Sequence, residues 1–252
     1  MKNKIIVDKN GPVTTIVINR PEVKNALDTE ATAQLGEAIK SFEEDHEARV
    51  AVLFGAGGSF CAGADLKELA SGVKYEAWAG DDGPLARPAK KPVIAAIEGH
   101  ACAGGLGVAL WCDIRVADES AAFAVLSRRW GVPMSDGTTV RLPRVIGVGN
   151  AIDMLLSARI VSAQEALGMG LITRLVPEGL ARQAAEELAR SIAQFPQIAM
   201  RSDRESTYAQ TSLPIAEALE LEAQLAERAK AIEATEGASR FAAGAGRHGS
   251  VS

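Results

Sequence analysis

Two short glycine-containing segments have the residue types that suit catalysis by main-chain amides. The first is Ser59-Phe-Cys-Ala-Gly-Ala-Asp-Leu66, and the second is Glu98-Gly-His-Ala-Cys-Ala-Gly-Gly-Leu-Gly107. Small side chains leave backbone N–H groups unhindered, and two such groups that converge on one point form an oxyanion hole. Taken alone, either segment is better explained by tight packing of a strand against a helix. Their combination favours the oxyanion hole.

Each segment follows a short apolar run that predicts a strand. Val50–Phe54 precedes the first segment and Val93–Ile97 precedes the second, and continuous apolar runs are typical of strands buried on both faces. A helix is expected to begin around Gly104, where its N-terminal dipole adds positive potential. Further strands are predicted at Val13–Ile18 and Ile114–Ala117. Strands that alternate with helices through residue 150 indicate an α/β fold.

Other patterns predict helices. Asp28 has the residue type of an N-cap, and the residues from Ser162 to Glu165 have the pattern of a capping box. Three apolar stripes at helical spacing are Leu35, Ile39 and Phe42; Leu180, Ala184, Leu188 and Ile192; and Leu221, Leu225, Ala229 and Ile232. We therefore predict a core domain over residues 1–195 and a helical region over residues 196–252.

The composition argues against several classes of protein. The 252 residues carry a net charge of −5, so no nucleic-acid or anionic-membrane partner is predicted. The most apolar stretch, Pro92–Trp111, is interrupted by Glu98, His100 and four glycines, which favours a buried strand, turn and helix over a membrane span. Three cysteines without a C-x-x-C pair indicate reduced thiols, and the N-terminus has no apolar signal-peptide region. We expect a cytoplasmic protein.

Common catalytic motifs are missing from the sequence. No G-x-G-x-x-G dinucleotide motif follows a predicted strand, and no G-x-S-x-G or H-E-x-x-H motif occurs. Gly58 and Gly63 have the spacing of a phosphate-binding loop, but Ala64 and Asp65 follow where Lys and Ser or Thr would be needed. No metal site and no cofactor are predicted.

Several motifs, in order along the whole chain, resemble the crotonase (enoyl-CoA hydratase/isomerase) family. They are Asn25-Ala-Leu27 after Arg20-Pro21, Phe60-Cys-Ala-Gly-Ala-Asp-Leu66, Gly99-His-Ala-Cys-Ala-Gly-Gly105, Cys112-Asp-Ile-Arg115, Gly131-Val-Pro133, Arg141-Leu-Pro-Arg-Val-Ile-Gly147, Ala163-Gln-Glu-Ala166 with Gly170-Leu171, and Glu236-Gly237 with Phe241. The resemblance implies a spiral of β-β-α units with a C-terminal helical trimerisation region. It also implies an acyl-CoA substrate and a homotrimer or dimer of trimers, with coenzyme A present only as part of the substrate.

The resemblance also implies roles for particular residues. The N–H groups of Ala64 and Gly104 would hold the thioester oxygen. Residues at positions that contact the acyl-CoA are Lys24, Ala26, Ala62, Asp65, Leu66, Gly105 and Phe241. Lys24 is equally compatible with a solvated surface lysine, and Phe241 with core packing.

The chain departs from the family at both positions where a hydratase carries its catalytic glutamates. These positions are Gly107 and Ser127, and neither side chain titrates near neutral pH. General acids and bases contribute about 10²–10⁴ in rate, so ordinary enoyl-CoA hydration should be crippled. Isomerase or lyase chemistry on an acyl-CoA is then expected instead. A non-catalytic acyl-CoA-binding protein is the alternative, and a purely structural oligomer is a third reading.

Asp136 is the nearest substitute for the missing carboxylates. Members of the family with other reactions carry a carboxylate in this loop, mostly at the position of Ser135. Asp136 also precedes a predicted helix, where it would serve as an N-cap, and both roles can hold together. His100 is interpreted as a structural histidine. Arg128 and Arg129 could bind a substrate carboxylate as a pair, but the preferred interpretation is that both are solvated surface residues.

Overall fold

A computed structural model describes residues 3–245 of the chain as two compact units, one that ends at Ile192 and one that begins at Ala193. A six-stranded sheet contains, in spatial order, β1 (Ile5–Asn10), β2 (Val13–Ile18), β3 (Val50–Gly55), β4 (Val93–Ile97), β6 (Ile114–Asp118) and β9 (Arg174–Val176). A smaller sheet contains β5 (His100–Cys102), β7 (Ala122–Ala124) and β8 (Val161–Ser162). The mixed α/β class predicted from the sequence is confirmed.

Helices connect the strands and make up the C-terminal unit. They are α1 (Thr29–Glu44), α2 (Leu66–Ala70), α3 (Gly104–Trp111), α4 (Thr138–Ser157), α5 (Ala163–Gly168), α6 (Ala181–Ala193), α7 (Gln197–Ala209), α8 (Ile215–Ala229) and α9 (Thr235–Ala242). Short 3₁₀ turns span Pro21–Val23, Leu126–Trp130 and Gln210–Ser212, and Lys230–Ala234 is π-helical. In the part of the chain that the structure describes, no helix is both long and apolar enough to cross a membrane.

The parallel part of the main sheet determines where the two glycine segments lie. β2, β3, β4, β6 and β9 run parallel, whereas β1 pairs with β2 in the antiparallel direction. β3 and β4 are direct neighbours, with Ala51 opposite Val93 and Phe54 opposite Ala96. The segments that follow these two strands therefore leave the sheet at the same edge, side by side.

The predicted strands are confirmed closely, since β2 and β4 have the predicted bounds and β3 and β6 are each one residue longer. The predicted N-caps are also present. The Asp28 carboxylate accepts a hydrogen bond from the Ala31 amide (2.8 Å), and the Ser162 hydroxyl accepts one from Glu165 (3.3 Å). Strands β1 and β9 and the three short strands of the second sheet were not predicted.

Two predicted apolar stripes need correction. Helix α6 buries Ala181, Ala185 and Ala189 completely, whereas Leu180 is 44% exposed. Small residues allow the closest approach of a helix to its neighbours, so the buried face of α6 is one residue away from the predicted stripe. In the last stripe Leu225 and Ala229 are buried but Ile232, beyond the end of α8, is exposed.

The C-terminal end of α1 is held by a buried lysine. The Lys91 ammonium donates hydrogen bonds to the carbonyl oxygens of Phe42 (2.9 Å), Asp45 (2.5 Å) and Ala48 (2.9 Å). These carbonyls lie at and just beyond the last turn of the helix, where no intrahelical N–H remains to satisfy them. The cation therefore satisfies three acceptors and opposes the negative end of the helix dipole.

Replacement of Lys91 by Met should lower the free energy of unfolding by about 1–3 kcal/mol or more, because buried carbonyls lose their donor. Chemical denaturation measures this change. The exposed neighbour Lys90 provides the matched control, and Lys90→Met should change the free energy by no more than about 0.5 kcal/mol. Equal effects of the two substitutions would show that Lys91 does not secure the helix end.

Candidate active site

The first glycine bend, residues 59–65, is held by backbone hydrogen bonds on both sides. The Phe60 amide donates to Glu98 O (2.8 Å), and the Cys61 amide donates to His100 O (2.8 Å). Further along the bend, Gly63 O accepts from the Leu27 amide (2.8 Å). The bend is thereby pinned against both the 20–28 segment and the second glycine segment.

Asn25 fixes the loop that leads into the first bend. Its side-chain amide donates to Ala56 O (2.8 Å) and Ser59 O (2.5 Å), and its Oδ1 accepts from the Arg20 amide (2.8 Å). Asn25 is fully buried with a φ of 57°, a left-handed conformation that Asn tolerates better than most residues. Asn is therefore required at position 25 because its side chain hydrogen-bonds to the surrounding backbone.

The second bend, residues 99–105, lies directly against the first. A Cβ atom added to Gly105 would overlap with the carbonyl oxygen of Cys61, and one added to Gly63 would lie 2.8 Å from the Gly104 nitrogen. The two bends are therefore in backbone contact, and glycine at both positions is a requirement of that contact. The resemblance predicted Gly105 as a substrate-binding residue, and the contact with Cys61 is a structural reason for glycine at this position.

The two amides proposed as oxyanion donors are free to bind a ligand. Within the described chain, neither the Ala64 N–H nor the Gly104 N–H donates a hydrogen bond, and both residues are only partly buried. Gly104 is the first residue of α3, so its amide lies at the positive end of that helix. The preceding Ala103 has φ 49° and ψ −125°, a conformation that costs a non-glycine residue about 1–3 kcal/mol.

Asp136 lies beside this pair of bends. A Cβ on Gly107 would lie 2.7 Å from Asp136 Oδ1 and 2.8 Å from its Cβ, and a Cβ on Gly104 would lie 3.4 Å from Oδ2. The carboxylate of Asp136 therefore occupies the space that a side chain at position 107 would need. A carboxyl group is present here, although it is supplied by a different element of the chain.

Asp136 is not the N-cap residue of α4, although its side chain contacts the first turn of that helix. Its Oδ1 accepts a hydrogen bond from the Thr138 amide (2.8 Å), the first helical residue of α4, while Gly137 is the residue at the N-cap position. Asp136 is 4% exposed, and this burial raises the pKa of its carboxyl group above the ordinary value. The Arg141 guanidinium donates to the Asp136 carbonyl oxygen (3.0 Å) and fixes its backbone.

Ser127 and His100 have structural contacts. The Ser127 hydroxyl is buried and donates to Met134 Sδ (3.1 Å). The partly buried His100 lies on β5, and burial, followed by the nearby Lys24 charge, lowers the pKa of its imidazole. A lowered pKa keeps the His100 imidazole neutral near pH 7.

Lys24 lies on the same side as the two bends. Its carbonyl oxygen accepts the Ala62 amide (3.0 Å), and its side chain is exposed. The charge of Lys24 lowers the pKa of His100 and opposes the rise in the pKa of Cys102 that burial causes, so the ammonium lies near the second bend. A solvent-accessible cation at this position can attract a phosphate group.

The other predicted contact residues differ in their surroundings. Both carboxylate oxygens of Asp65 have partners, since Oδ2 pairs with Arg20 (3.0 Å) and Oδ1 accepts the Lys67 amide (3.1 Å). Ala26 is buried, Ala62 is partly buried, and Leu66 is 40% exposed at the start of α2. Phe241, on α9 of the second unit, is 68% exposed, so the core-packing interpretation is wrong for this chain.

Sequence reasoning missed two aromatic residues near the bends. Trp78 packs against Gly104, where an added Cβ would lie 2.6 Å from the indole Cζ3. The Tyr75 hydroxyl donates to Leu27 O (2.7 Å) and accepts from the Asp65 amide (3.2 Å). Both belong to an irregular segment without a motif, so only tertiary structure reveals them.

Among residues 3–245, no cluster of His, Cys, Asp and Glu has the arrangement of a metal site.

Comparison with known proteins agrees with this geometry. The family model described as enoyl-CoA hydratase/isomerase matches residues 8–244. Enoyl-CoA hydratase EchA19 of Mycobacterium tuberculosis is 36% identical over 228 residues, which cover 87% of this chain and 86% of that protein. Carnitinyl-CoA dehydratase of Salmonella typhi is 33% identical over 222 residues, which cover 86% and 85%.

Solved structures are similar over nearly the whole chain. The enoyl-CoA hydratase EchA1 of Mycobacterium marinum superimposes with a TM-score of 0.90 at 31% identity, over 96% of both chains. An enoyl-CoA hydratase from Mycobacterium tuberculosis gives 0.91 at 31% identity, again over 96% of both chains. This protein therefore belongs to the crotonase, or enoyl-CoA hydratase/isomerase, family and has its fold. It is a crotonase-family acyl-CoA enzyme.

The contact between Gly107 and Asp136 yields a double-mutant test. Gly107→Ala should lower the free energy of unfolding by about 1–3 kcal/mol, because the new methyl group is forced against the Asp136 side chain. In an Asp136→Gly background the same change should cost much less. Chemical denaturation of the two single variants and the double variant measures this coupling.

Gly149→Ala is the control for the methyl group itself, since an added Cβ there meets no heavy atom within 4 Å. This substitution, inside α4, should be neutral or stabilising. An equal cost of Gly107→Ala in both backgrounds would show that Asp136 does not fill the space beside Gly107.

Proposed function

We propose that this enzyme binds an acyl-CoA and moves a proton at the α-carbon of its acyl group, with isomerisation favoured over hydration. The observation that carries the proposal is a buried carboxylate, Asp136, beside two bends whose Ala64 and Gly104 amides have no acceptor within the described chain. Removal of an α-proton puts negative charge on the thioester oxygen. Two amides that hold this oxygen stabilise the resulting enolate, and loss of one such donor typically costs about 10²–10³ in rate.

Asp136 is the proposed base. As a carboxylate it takes the α-proton, and as a carboxylic acid it returns the proton to another carbon of the same acyl chain, which shifts the double bond. Its raised pKa suits both steps, because a base whose pKa is closer to the working pH can also give the proton back. The proposed reaction needs no cofactor, since coenzyme A is part of the substrate thioester.

Hydration requires two groups that activate and protonate a water molecule, and the resemblance puts Gly107 and Ser127 where those groups belong. Related proteins are named enoyl-CoA hydratase and carnitinyl-CoA dehydratase, so the proposed isomerisation has to be compared with hydration and dehydration. One carboxylate, which already accepts a hydrogen bond from Thr138, favours single-proton transfer over addition of water.

Lys24, whose charge lies near the second bend, is proposed to contact the phosphate-bearing part of coenzyme A.

In deuterium oxide, the purified protein should exchange the α-protons of butyryl-CoA, while its hydration of crotonyl-CoA should be slower by orders of magnitude than that of a two-glutamate hydratase. Asp136→Asn should slow the exchange about 10²–10⁴-fold and leave butyryl-CoA binding intact. Mass spectrometry follows the exchange, and calorimetry follows the binding. The exposed Asp81→Asn serves as the matched control and should exchange at the wild-type rate.

The pH dependence supplies a second readout for the same residue. A base works when deprotonated, so exchange should fall as the pH drops through the pKa of Asp136. Because burial raises that pKa, the fall should lie at higher pH than for an ordinary aspartate. Binding without any exchange would instead establish the non-catalytic acyl-CoA-binding alternative, and exchange that survives in Asp136→Asn would exclude Asp136 as the base.

The proposed assembly is a homotrimer or a dimer of trimers. In α4, Gly147 has a non-helical conformation, and after this kink Val148, Ile152 and Leu156 lie on one face at four-residue spacing with exposures of 68%, 48% and 72%. A contiguous exposed apolar stripe of this kind is typical of protein interfaces. Burial against a second copy of the chain would remove the stripe from water.

Sedimentation analysis should find an assembly of three or six chains, and Leu156→Glu should shift it towards monomers, because a charge would be buried without a partner. Val73→Glu, a charge at another exposed valine outside α4, should leave the assembly unchanged. A monomeric wild-type protein, or an unaltered assembly in Leu156→Glu, would contradict this proposal.

A further inference from the structure

The indole ring of Trp78 packs on Gly104, whose amide is one of the two proposed oxyanion donors. The Cζ3 and Cη2 atoms lie 2.6 and 3.1 Å from the point where a Cβ of Gly104 would be, and Asp136 Oδ2 lies 3.4 Å from that same point. The six-membered edge of the ring therefore covers the Gly104 backbone beside the carboxylate. An acyl group whose thioester oxygen binds the Gly104 amide must meet this ring.

The backbone around Trp78 is held on both sides. Its carbonyl oxygen accepts the Leu85 amide (2.8 Å), and the next amide, that of Ala79, donates to Ser135 O (3.1 Å) in the loop that carries Asp136. Gly83 packs so tightly on the Trp78 carbonyl group that a Cβ there would overlap with it. With an exposure of only 6%, the indole is a fixed wall.

Trp78 also lines a groove of about 530 Å³ between α1 and the segment that follows α2. Thr29, Ala33 and Gly36 from α1 form one wall of the groove. Tyr75, Ala77 and Pro84 belong to the other wall together with Trp78. Trp78 thus contacts Gly104 and also belongs to the wall of this groove.

We infer that Trp78 is a specificity-determining residue that ends the acyl pocket and restricts the enzyme to short, compact acyl groups. This inference rests on the proposed acyl-CoA function and adds the substrate class to it. A long acyl chain cannot pass the ring without displacing a side chain that is held in place by its buried surroundings. Removal of the indole joins the pocket to the groove, which then receives the distal part of a longer chain.

Calorimetric titration with butyryl-CoA and octanoyl-CoA tests this inference. Wild-type protein should bind octanoyl-CoA at least about tenfold more weakly than butyryl-CoA. Trp78→Ala should bind octanoyl-CoA at least about tenfold more tightly than the wild type does, because methylene groups that enter the groove leave water. Trp78→Phe keeps an aromatic ring but shortens the side chain, so it should reduce the preference for butyryl-CoA in part. An unchanged preference in Trp78→Phe would overturn the role of Trp78 if the alanine variant fails to fold.

Trp130→Ala is the matched control, since that indole is 71% exposed and its loss should not alter the preference. Equal wild-type affinities for the two ligands, or an unchanged preference in a folded Trp78→Ala protein, would overturn the role of Trp78 and leave the proposed function standing. A change of preference in Trp130→Ala would also overturn it. Failure of the wild type to bind either ligand would refute the acyl-CoA function and this inference together.

Discussion

The site depends on the close backbone contact between two bends that follow adjacent parallel strands. Gly105 lies so near the Cys61 carbonyl oxygen that no side chain fits between them, and Gly63 makes a similar approach to Gly104. Hydrogen bonds from Cys61 to His100 O and from Cys102 to Cys61 O fasten the contact. Any residue larger than glycine would force the bends apart and with them the two free amides. Main-chain donors are useful here because they are fixed before a ligand arrives and need no reorganisation when charge develops.

The chemistry available beside these amides follows from a second steric relation. The absence of a side chain at Gly107 leaves a space, and the Asp136 carboxyl group fills it from the loop before α4. Two opposing effects act on this group. The Thr138 amide stabilises the charged form, whereas burial destabilises it more strongly, so the pKa rises. A single buried carboxylate with a raised pKa is suited to take up and return one proton. Arg141 donates a hydrogen bond to the Asp136 carbonyl oxygen, and its nearby charge offsets part of the rise in the pKa.

The sequence predicted the parts of the molecule that depend on local pattern. A segment rich in β-branched residues predicted β2 and a continuous apolar run predicted β4, both with their observed bounds, and the residue types at Asp28 and Ser162 predicted two helix caps. The buried face of α6 was mispredicted because packing there selects small alanines over the more hydrophobic leucines. The relation between Gly107 and Asp136 spans 29 positions in the chain, and the Trp78 contact belongs to no motif. Both arise from tertiary structure, which single-sequence patterns do not encode.

The central claim is that the Ala64 and Gly104 amides share one thioester oxygen. A crystal structure of the protein with bound butyryl-CoA measures this directly. We predict that the thioester oxygen lies at hydrogen-bond distance, about 2.7–3.2 Å, from both amide nitrogens, with the α-carbon facing the Asp136 carboxylate. A thioester oxygen that contacts neither amide, or an acyl group bound elsewhere on the protein, would contradict it.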